Sequence, residues 1–146
     1  MNRIAVANEL LKVAKTLVSD HRKEWEEILD LRKTKKHHGN EQMVTFMAEV
    51  WNGGVQQWVD NGNADDLNVV VGVARSLGPK GKELARRLQS LRSTIQEYED
   101  SSNRPSAKYE DDEEMTLTEE KMNLLDDFFY QNDDAIVDEF LAYLKS

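Results

Sequence analysis

The chain has 146 residues, a formal net charge of −9 and no cysteine. That length suffices for one domain with a core that needs no metal or disulfide staple. The missing cysteines exclude disulfides, thiolate nucleophiles and cysteine–zinc sites, and accord with a cytoplasmic location. Two prolines and seven glycines disfavour a turn-rich all-β chain, and no apolar run approaches the roughly 20 residues of a membrane-spanning helix.

In chain order, Ala7, Leu10, Leu11, Ala14, Leu17 and Val18 recur at helical spacing and predict an amphipathic helix over residues 1–19. It lacks a small-residue cleavage site and is not read as a signal peptide. With few bulky aromatics and a net-negative protein behind it, this helix is expected to dock or pair rather than lie on a membrane. Asp20 then caps a second helix reaching about Lys35, with Trp25, Ile28, Leu29 and Arg32 on one side. Lys33, Lys35, Lys36, His37 and His38 gather at its C-terminal end, where cations suit the helix dipole.

Asn40 opens a third helix through Met43, Val44, Met47, Val50 and Trp51, which stops at Gly53-Gly54. Val55, Trp58 and Val59 predict further helical turns before Asn61-Gly62-Asn63 breaks the chain. Leu67, Val70, Val71, Ala74 and Leu77 follow at helical spacing after a capping signal at Asn63. Gly78-Pro79 ends that helix and starts the next, lined by Leu84, Leu88, Leu91 and Ile95 and decorated with Lys80, Lys82, Arg86, Arg87 and Arg92. Residues of about 99–115 read as a polar acidic linker. Thr116 and Glu119 cap a helix holding Leu117, Leu124, Leu125 and Phe128, and Asp133 or Asp134 caps a last helix through Ile136, Val137, Phe140, Leu141 and Leu144. The reading is all-α: a compact single domain of about seven to eight helices, with an N-terminal amphipathic helix (1–19) ahead of a helical domain (20–146).

The charge is uneven. Before Gln96 there are 15 Lys/Arg against 12 Asp/Glu; from Gln96 onward, 4 against 16. Such asymmetry favours cationic partners. The search for chemistry returns little. His21, His37 and His38 lie in polar sequence, no serine sits in a nucleophile elbow, and no glycine loop matches a phosphate-binding fingerprint. Adjacent acids diverge by about 100° on a helix, and none forms an EF-hand loop or a Glu-x-x-His pair. No catalytic residue, metal site or cofactor is therefore assigned, and the protein is not expected to be an enzyme.

The unusual string is Asn52-Gly53-Gly54-Val55-Gln56-Gln57-Trp58-Val59-Asp60-Asn61. Its amides suit backbone hydrogen bonding where two helices turn; a polar pocket beside Trp51 and Trp58 is the alternative. The string resembles a family of helical bacterial and phage proteins long classed as a domain of unknown function, whose pattern is N-G-G-aromatic-x-Q-aromatic-aromatic-x-N. Asn52, Gly53, Gly54, Gln57, Trp58 and Asn61 stand at its positions, while Val55 and Val59 replace aromatics. Ala74-Arg75-Ser76-Leu77-Gly78 and Leu125-Asp126-Asp127-Phe128-Phe129-Tyr130 are similar to two further segments, so the likeness runs from about Glu41 to Leu144.

That family includes an acidic DNA-mimic protein that dimerises and binds a DNA-binding transcription regulator. The resemblance thus implies a non-enzymatic interaction protein with a basic DNA-binding protein as partner, no direct nucleic-acid binding, and a homodimer. Duplex DNA carries about one negative charge per 1.7 Å of axis, so ordered carboxylates can occupy a surface built for phosphates. Asp126, Asp127, Asp133, Asp134, Asp138 and Glu139 are the candidates, because they fall on predicted helices. Two alternatives stay open: a small-molecule binder or enzyme using an Asn52, Gln57, Trp58, Asn61 pocket, and a phage structural or assembly subunit oligomerising through residues 1–19.

Overall fold

The computed structural model describes residues 22–34, 38–102 and 112–146. Its helices are α1 (Arg22–Thr34), α2 (Asn40–Asp60), α3 (Leu67–Arg75), α4 (Pro79–Ser90), α5 (Arg92–Ser102) and α6 (Asp112–Lys145), with a 3-10 turn at Ala64–Asp66. The all-α expectation is met, with no strand among the described residues. The helix expected over 1–19, the cap at Asp20 and residues 35–37 of the basic cluster lie outside what is described.

α6 is the spine: α1, α2, α4 and α5 all pack on it, while α3 packs mainly on α4. At about 1.5 Å per residue, its 34 residues run roughly 51 Å. Met122, Leu125, Phe129, Ile136, Val137, Phe140 and Leu144 form its buried edge. They meet an aromatic cluster in which Trp25 lies edge-on to Trp51 at 4.8 Å, Phe46 to Trp58 at 5.1 Å, and Trp51 lies 5.5 Å from Phe129.

The sequence reading divides this region at Asp133-Asp134; the chain instead continues as one helix. Two mid-helix aspartates cost up to about 0.7 kcal/mol each relative to alanine. Burying each of Phe129, Ile136, Val137 and Phe140 contributes about 1.5–3 kcal/mol, so packing on both sides of the pair outweighs the capping signal. The expected linker is likewise helical at its edges: 99–102 belong to α5 and 112–115 to α6. The remainder, 103–111, lies outside the described residues.

α2 bends where the glycine pair predicted. Gly54 adopts φ 82°, ψ 178°, a region essentially reserved for glycine, and the helix restarts at Val55 on a new axis. Gly39 (φ 91°) precedes α2, and its α-carbon sits so close to Val69 and Val73 that a β-carbon would collide with both.

Candidate partner-binding surface

A turn of 3.6 residues sets the direction of each carboxylate on α6. Glu120, Asp127, Asp134 and Asp138 fall within about 40° of one another on that period, and all four are exposed. They form a stripe opposite the buried edge, about 27 Å long at 1.5 Å per residue. Leu124, 64% exposed, borders it. The sequence reading did not include Glu120, although its seven-residue spacing to Asp127 and Asp134 was a usable signal.

The other candidates turn inward and hold the fold. Asp126 accepts from the Val55 backbone N–H at 2.8 Å, so a carboxylate from α6 caps the restarted half of α2. Asp133 accepts from Trp51 Nε1 at 2.9 Å. Between them Tyr130 donates its hydroxyl to the Val50 carbonyl. Glu139 accepts from the backbone N–H groups of Lys80 (3.0 Å) and Gly81 (2.8 Å), capping α4, which has no side-chain cap of its own. Free N–H groups at a helix start need such acceptors, and negative charge there is favoured by the dipole.

Burial raises the Asp126 carboxyl above the ordinary carboxylate range, against the lowering effect of the Val55 bond; neighbouring Asp127 adds to the rise. Asp133 is raised for the same first reason, opposed by its Trp51 bond. Burial also raises the Tyr130 hydroxyl, helped by the negative charge of Asp126, Asp127 and Asp133. The cost of dehydration thus exceeds the benefit of the bonds for the charged forms of Asp126 and Asp133.

The two segments that meet in this strapping, the glycine kink and the acidic–aromatic stretch of α6, both lie within a stretch matched by a protein-family profile. That profile, described as DMP19-like protein, spans residues 43–146. The chain belongs to the DMP19-like protein family. No curated protein and no solved structure matches it.

Within this DMP19-like region the glycine-pair residues have separate tasks. Gly54 leaves room for Asp126: a β-carbon there would lie 2.5 Å from Asp126 Oδ2. Gly53 lies under the Gln57 carboxamide. Trp58 is fully buried. Asn61 donates from Nδ2 to Glu49 Oε1 at 3.0 Å, and Asn63 donates to Glu49 Oε2 at 3.3 Å and to the Trp58 carbonyl at 3.0 Å. Asn52 is exposed.

Glu49, only 2% exposed, is a residue that the sequence reading missed, because its position amid the apolar α2 stripe carries no local mark. Burial raises its carboxyl, partly offset by the Asn61 bond. On α4, Arg86 and then Arg87 hold Glu83 down at about 2, and Arg87 also lies 4.5 Å over the Phe128 ring. Among the described residues no group of His, Asp and Glu is arranged to hold a metal ion, and no helix is long and apolar enough to cross a membrane.

Proposed function

We propose that the protein acts without catalysis, as an acidic interaction protein of the DNA-mimic kind: the outward stripe of α6 occupies the basic surface of a DNA-binding protein. The observation that carries this reading is the stripe itself, Glu120, Asp127, Asp134 and Asp138 on one face of a helix whose opposite face is buried. A fixed helix holds charges in place before binding, so little entropy is lost when a partner's Lys and Arg meet them.

Four carboxylates over about 27 Å are sparser than the duplex's one charge per ~1.7 Å. The stripe therefore imitates a few phosphates of one strand rather than a full polyanion. Asp126, Asp133 and Glu139 contribute field, while their oxygens serve the fold.

The test is a partner recovered on the full chain, followed by equilibrium binding at several salt concentrations with duplex DNA as competitor. The expected result is competition by DNA, with affinity falling as salt rises. A variant carrying D127N, D134N and D138N should weaken binding and flatten that salt dependence. Binding that ignores both the variant and the DNA would sink the reading.

A further inference from the structure

The chain contains two Asn-Gly pairs, Asn52-Gly53 and Asn61-Gly62, and their surroundings differ. We infer that Asn52 is a site of spontaneous deamidation and that Asn61 is protected from it by the fold. The reaction needs no cofactor. The Gly53 backbone nitrogen attacks the Asn52 side-chain carbonyl carbon, forming a new C–N bond. The bond to Nδ2 breaks, and ammonia departs carrying the proton given up by Gly53. The resulting five-membered imide adds one water at either carbonyl, yielding aspartate or isoaspartate. No group is oxidised or reduced.

A following glycine favours the step because it has no β-carbon to obstruct ring closure. Ring closure also needs a side-chain amide free to swing onto the next nitrogen. Asn52 meets this need: it is exposed, and its side-chain amide makes no hydrogen bond within the described residues. It sits one residue before the helix loses its regular geometry, with Gly53 at φ −162°, ψ 16°.

Asn61 does not meet it. Its amide is tied to the buried Glu49 carboxylate at 3.0 Å. The nitrogen that would attack, that of Gly62, donates to the Val59 carbonyl at 2.9 Å. Both reacting groups must break a bond before they can meet.

The product has a structural consequence. Isoaspartate at position 52 lengthens the main chain by one carbon between the two straps that α6 places on α2, Asp133 on Trp51 and Asp126 on Val55. It also adds a negative charge beside the kink.

The experiment uses the intact protein, aged at mildly alkaline pH and digested, with isoaspartate and aspartate quantified at each position by mass spectrometry. A synthetic peptide of residues 48–66 is aged in parallel. In the peptide Asn52 and Asn61 should convert at similar rates. In the protein Asn52 should convert and Asn61 should be slower by at least about tenfold, equal to about 1.4 kcal/mol of barrier. G53A, whose β-carbon requires the Gln57 carboxamide to swing aside, should sharply slow conversion at Asn52. Conversion of both sites at equal rates in the folded protein, or of neither while the peptide reacts, overturns the inference.

Discussion

The contact between Gly54 and Asp126 is open to a quantitative test by a double-mutant cycle. Replacing Gly54 with alanine forces φ 82°, ψ 178° onto a residue with a β-carbon, which costs about 1–3 kcal/mol. The new carbon would also sit 2.5 Å from Asp126 Oδ2, so the carboxylate must withdraw and release the Val55 N–H. Loss of a helix cap costs about 0.5–2 kcal/mol. Gly54→Ala should therefore destabilise the protein by about 1.5–5 kcal/mol. Asp126→Ala removes the cap without introducing backbone strain and should cost about 0.5–2 kcal/mol. In the double variant the collision is gone and the cap cannot be lost twice, so the sum of the single effects should exceed the double effect by the value of one cap, about 0.5–2 kcal/mol. Urea unfolding reads this as a shift in midpoint at constant slope. Additivity within about 0.3–0.5 kcal/mol, or a negligible cost for Gly54→Ala, would refute the trans-capping argument. Asp126→Asn should be milder than Asp126→Ala, because the amide oxygen still accepts the bond without a dehydrated charge.

Further outcomes follow from the same geometry. Glu139→Ala removes the cap from Lys80 and Gly81 and should cost about 1–2 kcal/mol, whereas its exposed neighbour Asp138→Ala should stay within about 0.5 kcal/mol; chemical denaturation separates them. Glu49→Ala removes the acceptor of the Asn61 amide and one of the two acceptors of the Asn63 amide and should cost about 1–3 kcal/mol. Glu49→Gln, which imitates the acid form, should be better tolerated. Because burial raises the folded-state pKa of Glu49 above 4.5, the contribution of its acid form is present below pH 4.5 and is lost as pH rises through the folded value. The stability of Glu49→Gln relative to the parent should accordingly be higher at pH 7 than at pH 4. Glu83 has the opposite sign: held at about 2 against an ordinary 4.5, its contribution exists above pH 4.5 and is lost as pH falls toward 2. Glu83→Gln should thus be at a disadvantage at pH 7 that disappears in acid. A pH series of denaturation midpoints that runs the other way for either variant would contradict the assignment.

The sequence by itself determined the all-α class and which sides of the helices are buried, because apolar residues at 3.6-residue spacing have one regular way to share a buried side; it did not show that the helix after Pro79 breaks at Leu91 or that α6 runs unbroken. Trp25 and Ile28 on α1, Val70 and Ala74 on α3, and Leu84 and Leu88 on α4 are buried as their spacing predicts. The breaks at Gly53-Gly54 and Gly78-Pro79 were equally legible, since backbone permissiveness and a missing N–H are properties of the residue itself. So was the concentration of acid after Ile95.

Tertiary structure decided what each acid does. Asp126 and Asp127 are neighbours in sequence, yet one caps α2 and the other faces solvent, because the roughly 100° between them acquires meaning only once α2 lies against one side of α6. Asp133 carried a capping signal that Trp51 Nε1, 82 residues away in sequence, now engages. Glu139 caps a helix that begins 60 residues before it, and Glu49 is buried because Asn61 and Asn63 fold back onto it. Such partnerships depend on which surfaces meet. Local sequence does not encode that, and so the six acids proposed from sequence divide into three that face solvent and three that fasten the fold.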